Sequence, residues 1–425
     1  MRSTRRTFAL ARPDRARLFA LLAAACPAYA AMGQWTAINL EPTAPGLVTS
    51  QAYGVHAGQQ VGIVVVNGET QAAVWSGSPG SYVNLSPAGV PNLFASAALG
   101  AHAGVQVGYI AVVNDEGDDF SLAAMWSGTP QSYVDLHPPG FEQSRALAAD
   151  STTQAGWVTV NGVPRAALWT GTPASYISLH PTGPTQSIIT ALDGETQAGY
   201  ASVGFSHASL WRGTPESWVD MHPVQVPEIS VSAVLGAHNG QQAGWAIYGP
   251  ASGGISHPAL WTGSADSYVD LLPAGWRDGM AIATYDGRQA GNARMAGSDY
   301  RALVWSGTPG SFENLHDVLP TGYLRSNALG IWNDGVNWYV AGIAVTPGPA
   351  FTSDAILWVS PMAPACEPDF NLDGNVDQDD IACLTQVVAG DASCSAQDPD
   401  FNGDGNVDQD DIAALEQVVA GAPCP

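Results

Sequence analysis

Residues 169–211 read WTGTPASYISLHPTGPTQSIITALDGETQAGYASVGFSHASLW, and they hold one complete copy of the unit that builds most of the chain. A turn with Gly and Pro at 170–174 leads into the alternating segment 175–179, which is typical of a β-hairpin. An apolar run at 187–192, a glycine turn and the motif at Gln197 follow, and a last apolar segment ends at Trp211. The unit therefore predicts four short strands and no helix.

This unit recurs seven times along residues 34–358. A tryptophan ends a short apolar segment at intervals of 42 to 53 residues, at Trp75, Trp126, Trp169, Trp211, Trp261, Trp305 and Trp358. A Gln-x-Gly motif stands before six of them, at Gln60, Gln106, Gln154, Gln197, Gln242 and Gln289, and Val340-Ala341-Gly342 replaces it in the seventh. That repeat length is the size of a four-stranded propeller blade.

The repeat predicts an all-β fold, a seven-bladed β-propeller over residues 31–362. One such sheet cannot bury both faces, whereas seven sheets stacked radially cover one another and leave only short edges. The Trp and Tyr rings would fill the space between blades, and small residues suit the innermost strand, where the sheets crowd around the axis. A parallel β-solenoid is the structural alternative, but its coils are shorter than these units.

The ends of the repeat region predict how the ring closes. Residues 38–42, Ile-Asn-Leu-Glu-Pro, repeat residues 83–87, Val-Asn-Leu-Ser-Pro, which form the outer strand of a unit. The last unit stops at Trp358 without such a strand. We therefore expect residues 36–41 to complete the last blade beside Leu357-Trp358, which would remove two exposed strand edges.

The segments HASLW at 207–211 and HPALW at 257–261 resemble the HAF-type extracellular repeats of secreted bacterial proteins. Other units replace that histidine with Gln71, Leu122, Arg165, Arg301 or Asp354, so the match is to the pattern. The hairpin also resembles that of kelch repeats, with one aromatic residue on each side of a tight turn. The resemblance covers residues 34–358 and implies a propeller, but it implies no defined chemistry.

No catalytic residue is predicted in the repeats. Four histidines lie at equivalent ends of the outer strand, which favours turn hydrogen bonding: His137, His180, His222 and His316. Neither a zinc-protease spacing nor a Gly-x-Ser-x-Gly nucleophile elbow is present. Asp193, Asp220 and Asp286 are acidic residues that could meet at a central funnel.

Residues 1–30 have the pattern of an export signal. An Arg-rich segment, the apolar run 18–25 and Ala28-Tyr29-Ala30 place the mature start at Ala31. General secretion is favoured over twin-arginine export, although Arg5-Arg6 also fits the latter, and Cys26 suits a lipoprotein poorly. The mature protein is expected to be secreted or surface-associated, and no later segment is long and apolar enough to span a membrane.

The charge excludes one class of partner. Six of the 14 basic residues and one of the 38 acidic ones lie in the signal, so the mature chain carries 8 basic and 37 acidic side chains, a net charge of −29. Nucleic-acid binding needs a positive face, so a nucleic-acid partner is not expected.

The composition changes after residue 362, and residues 366–425 contain fourteen acidic side chains and no basic one. The segments DFNLDGNVDQDD (369–380) and DFNGDGNVDQDD (400–411) each fit a twelve-residue calcium loop, with oxygen ligands at positions 1, 3, 5, 7, 9 and 12 and Gly at position 6. The predicted metal ligands are Asp369, Asn371, Asp373, Asn375, Asp377, Asp380, Asp400, Asn402, Asp404, Asn406, Asp408 and Asp411. We expect two Ca²⁺ ions, bound in a way coupled to folding.

Each loop leads into one amphipathic helix, with apolar residues at Ile381, Leu384, Val387 and Val388 and at Ile412, Leu415, Val418 and Val419. Two calcium loops with one helix each resemble a type I dockerin, over residues 363–425. The resemblance implies docking to a cohesin-type domain on a scaffold or surface protein. It also assigns the partner contacts to loop positions 10 and 11, namely Gln378, Asp379, Gln409 and Asp410.

Four cysteines depart from the ordinary dockerin pattern: Cys366, Cys383, Cys394 and Cys424. An even number in an exported module predicts two disulfides, and three pairings exist. If the two copies pack with twofold pseudo-symmetry, the module's ends lie close together, which favours Cys366–Cys424 with Cys383–Cys394.

The sequence thus predicts a secreted, monomeric, non-enzymatic protein whose propeller presents a binding surface and whose dockerin attaches it to a scaffold. The alternative is an extracellular carbohydrate-active enzyme acting on polysaccharide, because dockerins commonly accompany glycoside hydrolases. A third interpretation is a structural spacer without a ligand.

Overall fold

The computed structural model describes residues 35–114, 116–347, 352–362, 368–391, 393–395, 397, 399–402 and 406–421. The chain divides into two compact units, one formed by Gly33–Met362 and one that includes Ala363–Pro425. The first is built of β-strands, and the second contains two α-helices.

The first unit has twenty-eight described strands, numbered in chain order, which occupy four positions in their sheets. The first strands are β2 (Leu47–His56), β6 (Leu93–His102), β10 (Ser144–Ala149), β14 (Ser187–Asp193), β18 (Ile229–His238), β22 (Asp278–Tyr285) and β26 (Arg325–Asn333). The second strands are β3 (Gln59–Val66), β7 (Val105–Val113), β11 (Gln154–Val160), β15 (Thr196–Val203), β19 (Gln241–Tyr248), β23 (Arg288–Arg294) and β27 (Asn337–Val345). The third strands are β4 (Glu69–Trp75), β8 (Asp119–Trp126), β12 (Val163–Trp169), β16 (Phe205–Trp211), β20 (Ile255–Trp261), β24 (Arg301–Trp305) and β28 (Ser353–Pro361). The outer strands are β5 (Val83–Asn84), β9 (Val134–Asp135), β13 (Ile177–Ser178), β17 (Val219–Asp220), β21 (Val269–Asp270), β25 (Glu313–Asn314) and β1 (Thr36–Asn39).

Short 3₁₀ turns accompany the outer strands. They lie at Pro79–Ser81, Pro130–Ser132, Pro173–Ser175, Pro215–Ser217, Ala265–Ser267 and Leu315–Val318. Most of them follow the glycine turn after a recurrent Trp, as the Gly- and Pro-containing sequence of that turn predicts.

The strands form five four-stranded sheets and one sheet of eight strands. Within each group of four, the strands pair antiparallel from the first position to the outer one. The eight-stranded sheet consists of two such groups, which are joined by one parallel pair, Thr70↔Ala95. We call each four-strand group a blade.

The blades are arranged radially, so the first unit is a β-propeller. The first strands contact one another in the order β2, β6, β10, β14, β18, β22 and β26, and β26 contacts β2 again. A Cβ added to Gly330 would lie 2.9 Å from the Cα of Gly54, and one added to Gly236 would lie 2.7 Å from the Cα of Ala283. The prediction that small residues line the crowded axis is therefore confirmed.

The N-terminal strand closes the ring. Thr36 pairs with Val359 and Asn39 with Ile356, so β1 is the outer strand of the last blade. The Leu40 amide continues the pairing by donating to the Ala355 carbonyl at 2.8 Å. The predicted closure is confirmed, and β1 covers an edge that β28 would otherwise expose.

Tryptophans fill the spaces between blades. All seven recurrent Trp side chains are fully buried, and each packs against an apolar residue at the end of the preceding blade's outer strand, as Trp126 does against Leu85. The Trp358 indole donates to the Leu315 carbonyl at 3.0 Å. These rings are packing residues, as predicted, because full burial leaves no face for a ligand to stack on.

The recurrent glutamines hold the turns that follow each Trp. Gln197 is buried, its Oε1 accepts from the Gly213 amide at 2.7 Å, and its Nε2 donates to the Glu195 carbonyl at 3.0 Å. The same amide acceptance occurs at Gln60, Gln106, Gln154, Gln242 and Gln289. The glutamine side chain thus connects two turns of its own blade, the one that follows the recurrent Trp and the one that precedes the second strand.

The second unit contains α1 (Gln378–Val388) and α2 (Gln409–Val419), which contact each other. Asp377 and Asp408 cap the two helices, and each cap includes a reciprocal capping box. The predicted apolar stripes pack together with Phe370 and Phe401. In the part of the chain that the structure describes, no helix has the length and apolar character needed to span a membrane.

Candidate binding sites on the propeller axis and in the C-terminal loops

One position at the end of every first strand carries a polar or aromatic side chain. In six blades it lies four residues before the recurrent Gln, and in the last blade pairing with Tyr339 identifies the equivalent residue. We call these seven residues the axial ring: His56, His102, Asp150, Asp193, His238, Tyr285 and Trp332. All seven are half-buried. Sequence reasoning did not predict this ring as a set, although the fixed spacing from Gln could have revealed it.

The axial ring is held by contacts between neighbouring blades. The imidazoles of His56 and His102 lie 4.2 Å apart, measured between ring centroids, and His56 lies 5.7 Å from Trp332. The His238 ring stacks on Tyr285 at 3.8 Å with an interplanar angle of 15°. Side chains from successive blades therefore meet around the axis.

Carboxylates stand among these rings. Asp286, which follows Tyr285, accepts from His238 Nε2 at 3.1 Å and from the Asn333 side-chain amide at 2.9 Å, so it joins three blades. Asp193 accepts from the Gly240 amide at 2.8 Å, across the next blade boundary. Asp193 and Asp286 thus lie at the ends of two first strands, and each binds a neighbouring blade.

Burial determines the protonation of two ring members. Burial, with smaller contributions from His102 and His238, lowers the pKa of His56 to about 4, so this imidazole is neutral at pH 7. Burial and Asp286 raise the pKa of Tyr285, so its phenol keeps its proton. The axial ring can therefore stack and hydrogen-bond, which are properties of a binding surface.

The expectation for Asp220 is wrong. Asp220 ends the outer strand β17, far along its blade from the first strand, and pairs with His207 Nδ1 at 2.8 Å. His257 and Asp270 make the same cross-strand pair at 2.7 Å in the next blade. The histidine of the HASLW and HPALW segments is thus a structural partner of the outer strand.

The four equivalent histidines hold neighbouring blades together. His137 Nδ1 lies 2.8 Å from the Ser144 hydroxyl, which in turn accepts the Ala123 amide from the blade that carries His137. His180 with Ser187, His222 with Ser232 and His316 with Ser326 repeat the arrangement. The histidines are therefore structural, as expected, but they bridge blades in addition to capping a turn.

The first acidic loop has its carboxylates turned toward its own backbone. Asp369 accepts from the Asp373 and Gly374 amides, and the fully buried Asp380 accepts from the Asn371 and Asp377 amides at 3.0 and 2.8 Å. Gly374 has a φ of +92°, a conformation that favours glycine. Predicted ligands at positions 1, 3, 5, 9 and 12 are thereby gathered within one loop.

The second loop repeats this geometry where it is described. Asp411 is fully buried and accepts from the Asn402 and Asp408 amides at 3.1 and 2.8 Å. Asp404 lies outside the described residues. The oxygen-only donor set of both loops fits calcium chemically. Within the described ranges, however, no three His, Cys, Asp or Glu side chains are grouped in a way that could hold a metal ion.

The predicted partner residues lie at equivalent places. Gln378 and Asp379 begin α1, Gln409 and Asp410 begin α2, and all four are exposed. The Cys383–Cys394 disulfide is present, with its Cα atoms 5.8 Å apart, and confirms that part of the predicted pairing. Cys366 and Cys424 lie outside the described residues.

No protein-family model matches this chain, and no curated protein matches it either. Similar solved structures include a puromycin hydrolase mutant complexed with PGG (14% identity, TM-score 0.45), which covers 72% of this chain and 51% of its own. The β-propeller domain of the Trilobed protease from Pyrococcus furiosus has 7% identity and a TM-score of 0.46, and covers 74% of this chain and 94% of its own. Polysaccharide lyase Uly1 has 7% identity and a TM-score of 0.44, and covers 73% and 89%. This chain spans about half the length of the puromycin hydrolase, and none of these similarities is close enough to transfer an activity.

Proposed function

We propose that this chain is an exported, monomeric, non-catalytic binding protein. A seven-bladed, HAF-type and kelch-like propeller presents a ligand surface, and a type I dockerin module attaches it through calcium to a cohesin-type partner on a scaffold or surface. The export signal predicted in residues 1–30 and the strongly acidic mature chain support an extracellular location.

Counting the eight-stranded sheet as two blades gives seven. The reason is that a single parallel pair, Thr70↔Ala95, joins its two halves, whereas each half has full antiparallel ladders of its own. The seven first strands that contact one another in a closed order support the same count.

The matched loops support calcium binding. In each copy the residue at position 12 is buried and accepts the amides of positions 3 and 9, so both loops have the same curvature. Asp369, Asp373, Asp377 and Asp380 put four carboxylates in one twelve-residue loop. A bound Ca²⁺ would supply the positive charge that offsets their mutual repulsion.

The exposed Gln378-Asp379 and Gln409-Asp410 pairs support docking at the start of either helix. The test uses the full mature chain as bait for extracellular proteins of the source, in calcium and in chelator. We expect a cohesin-type protein to be captured only with calcium. Capture that is equal in chelator would contradict the proposal.

The axial ring is the observation that carries the binding role of the propeller. Seven equivalent positions combine stacked rings with carboxylates and contain no aliphatic side chain. The test is a glycan and peptide binding screen with the mature chain and with Trp332→Leu. Binding that the variant loses while it keeps its melting temperature would support the proposal, and the absence of any Trp332-dependent ligand would contradict it.

A second candidate is a polysaccharide-cleaving enzyme. One observation favours it: His238 lies between Asp286, which orients its Nε2, and the stacked phenol of Tyr285. An oriented imidazole beside a protonated phenol is an arrangement suited to general base and acid work. Hydrolysis or lyase activity on a polysaccharide panel, lost in His238→Gln and kept in His257→Gln, would favour the enzyme.

A further inference from the structure

We infer that the axial ring recognises a ligand through a primary ammonium group, such as that of an amino sugar. This inference rests on the proposed binding role of the propeller axis. It follows from the charge of the ring, from the faces of its aromatic side chains, and from how Arg288, which pairs with Tyr285, is engaged.

Among the residues that the structure describes, no Arg or Lys side chain forms an ion pair with the carboxylates at the axis. Asp150 accepts from the Thr152 and Thr153 amides, Asp193 from the Gly240 amide, and Asp286 from Asn333 and His238. Peptide and side-chain amides are neutral donors, and so is the His238 imidazole where it is unprotonated, so these donors orient the carboxylates and leave their negative charge in place.

Arg288 begins β23 and pairs with Tyr285 of the axial ring, and it is the one Arg or Lys among the seven residues at this place in the second strands. Its guanidinium forms an ion pair with Glu313 at 3.1 Å and lies 5.1 Å from the Trp338 ring. Both partners are outside the axial ring. Its charge is thus already engaged by a carboxylate of the outer strand, and the axial face of the ring remains anionic.

Aromatic rings lie beside one of these carboxylates, Asp286. Asp286 bridges His238 and Asn333. His238 stacks on Tyr285, and Asn333 directly follows Trp332 in the chain. An ammonium group gains both from a carboxylate and from the face of a Trp or Tyr ring. Carboxylates alone would be satisfied by water, whereas the adjoining rings add an apolar surface that a sugar ring can cover. An anionic ligand such as a uronate would be repelled.

The test compares three trisaccharides of the same size at pH 7 by calorimetry with the mature chain: the glucosamine trimer, its N-acetylated form and the galacturonate trimer. We expect the glucosamine trimer to bind at least about tenfold more tightly than the N-acetylated form, a difference of about 1.4 kcal/mol, and the galacturonate trimer not to bind. Trilysine serves as a fourth probe, which distinguishes an amine on a sugar from an amine on a peptide.

Asp286→Asn removes one axial charge and is expected to weaken glucosamine-trimer binding about tenfold. Asp286 has a φ of +39°, which Asn tolerates equally well, so the variant should fold. Asp270→Asn, on an outer strand, is the control and should bind within about twofold of wild type. Equal binding of the neutral and amino trimers, still lost in Trp332→Leu, would overturn the ammonium inference and leave the binding role intact. Failure of all four probes would also overturn it, while the glycan and peptide screen decides the binding role separately.

Discussion

The hydroxyl of Ser187 lies 2.8 Å from Nδ1 of His180, and these two residues belong to neighbouring blades. The same hydroxyl accepts the Ala166 amide at 2.9 Å, from the blade that carries His180. The serine hydroxyl has one proton, which it can donate to an unprotonated Nδ1 while it accepts from the backbone. The same histidine–serine contact recurs at three further blade boundaries and links stability of the propeller to pH.

We expect the propeller to lose stability on acidification. Burial, with a further contribution from Arg165, lowers the pKa of His180 from 6.5 to about 4. On acidification, His180 therefore binds a proton near pH 6.5 in the unfolded chain but only near pH 4 in the folded chain. The stabilisation is complete above pH 6.5 and is lost as the pH falls toward 4.

The measurement is the melting temperature of wild type and His180→Gln between pH 7.5 and 4.5. At pH 7.5 the variant should be less stable by about 1 kcal/mol, because Ser187 loses its acceptor. Its melting temperature should fall less steeply below pH 6.5, since one titrating group is gone. Parallel curves for the two proteins would show that this bond does not link stability to pH.

Replacing a recurrent glutamine should destabilise its blade. Gln197→Ala leaves the Gly213 amide and the Glu195 carbonyl without their side-chain partner, and we expect a loss of about 1–3 kcal/mol in the free energy of unfolding. Gln131 is exposed on a 3₁₀ turn, so Gln131→Ala is the control and should change stability by less than about 0.5 kcal/mol. Urea denaturation of both variants measures the difference, and equal midpoints would refute the role assigned to Gln197.

Calcium removal should affect only the second unit. We expect calorimetry to detect two calcium ions per chain, and a chelator to reduce the helical circular dichroism of α1 and α2 while the propeller transition stays in place. Asp380→Ala should reduce the stoichiometry to one ion, because this buried carboxylate closes the first loop. Asp391→Ala, just after α1, should retain two. A chain that binds no calcium and is insensitive to chelator would disprove the assignment of the loops.

The repeat in the sequence was enough to predict the blades and the closing strand, because Trp and Gln recur with little change. It did not reveal the axial ring, whose equivalent residues differ in type, from His56 to Asp193 to Trp332; six of them share a distance from the recurrent Gln, and strand pairing alone identifies Trp332. The histidine bridges were missed for another reason. His137 and Ser144 are seven residues apart, but they belong to different blades, and only the radial packing makes that proximity a bond between sheets. Asp220 was misplaced because a strand's position within a blade decides its distance from the axis, and composition carries no such information.

The two helix starts of the second unit predict two docking orientations. Gln378-Asp379 and Gln409-Asp410 occupy the same place relative to a capping aspartate and a buried loop carboxylate. If the partner contacts one pair at a time, a rotation of the module by about half a turn presents a nearly identical surface to the partner. The competing explanation is that the two pairs are identical only because the segment was recently duplicated. It predicts that one pair makes most of the contacts with the partner, or that neither pair contributes to binding.

Alanine substitution of each pair separately, and then of both, distinguishes these explanations when binding to the captured partner is measured in calcium. With two equivalent orientations, losing one lowers affinity about twofold, or RT ln 2, near 0.4 kcal/mol. The double-copy variant should lose most of its affinity, since no intact pair remains. A large loss from either single-copy variant would mean that the partner uses one orientation, and unchanged affinity in the double-copy variant would place the docking surface elsewhere.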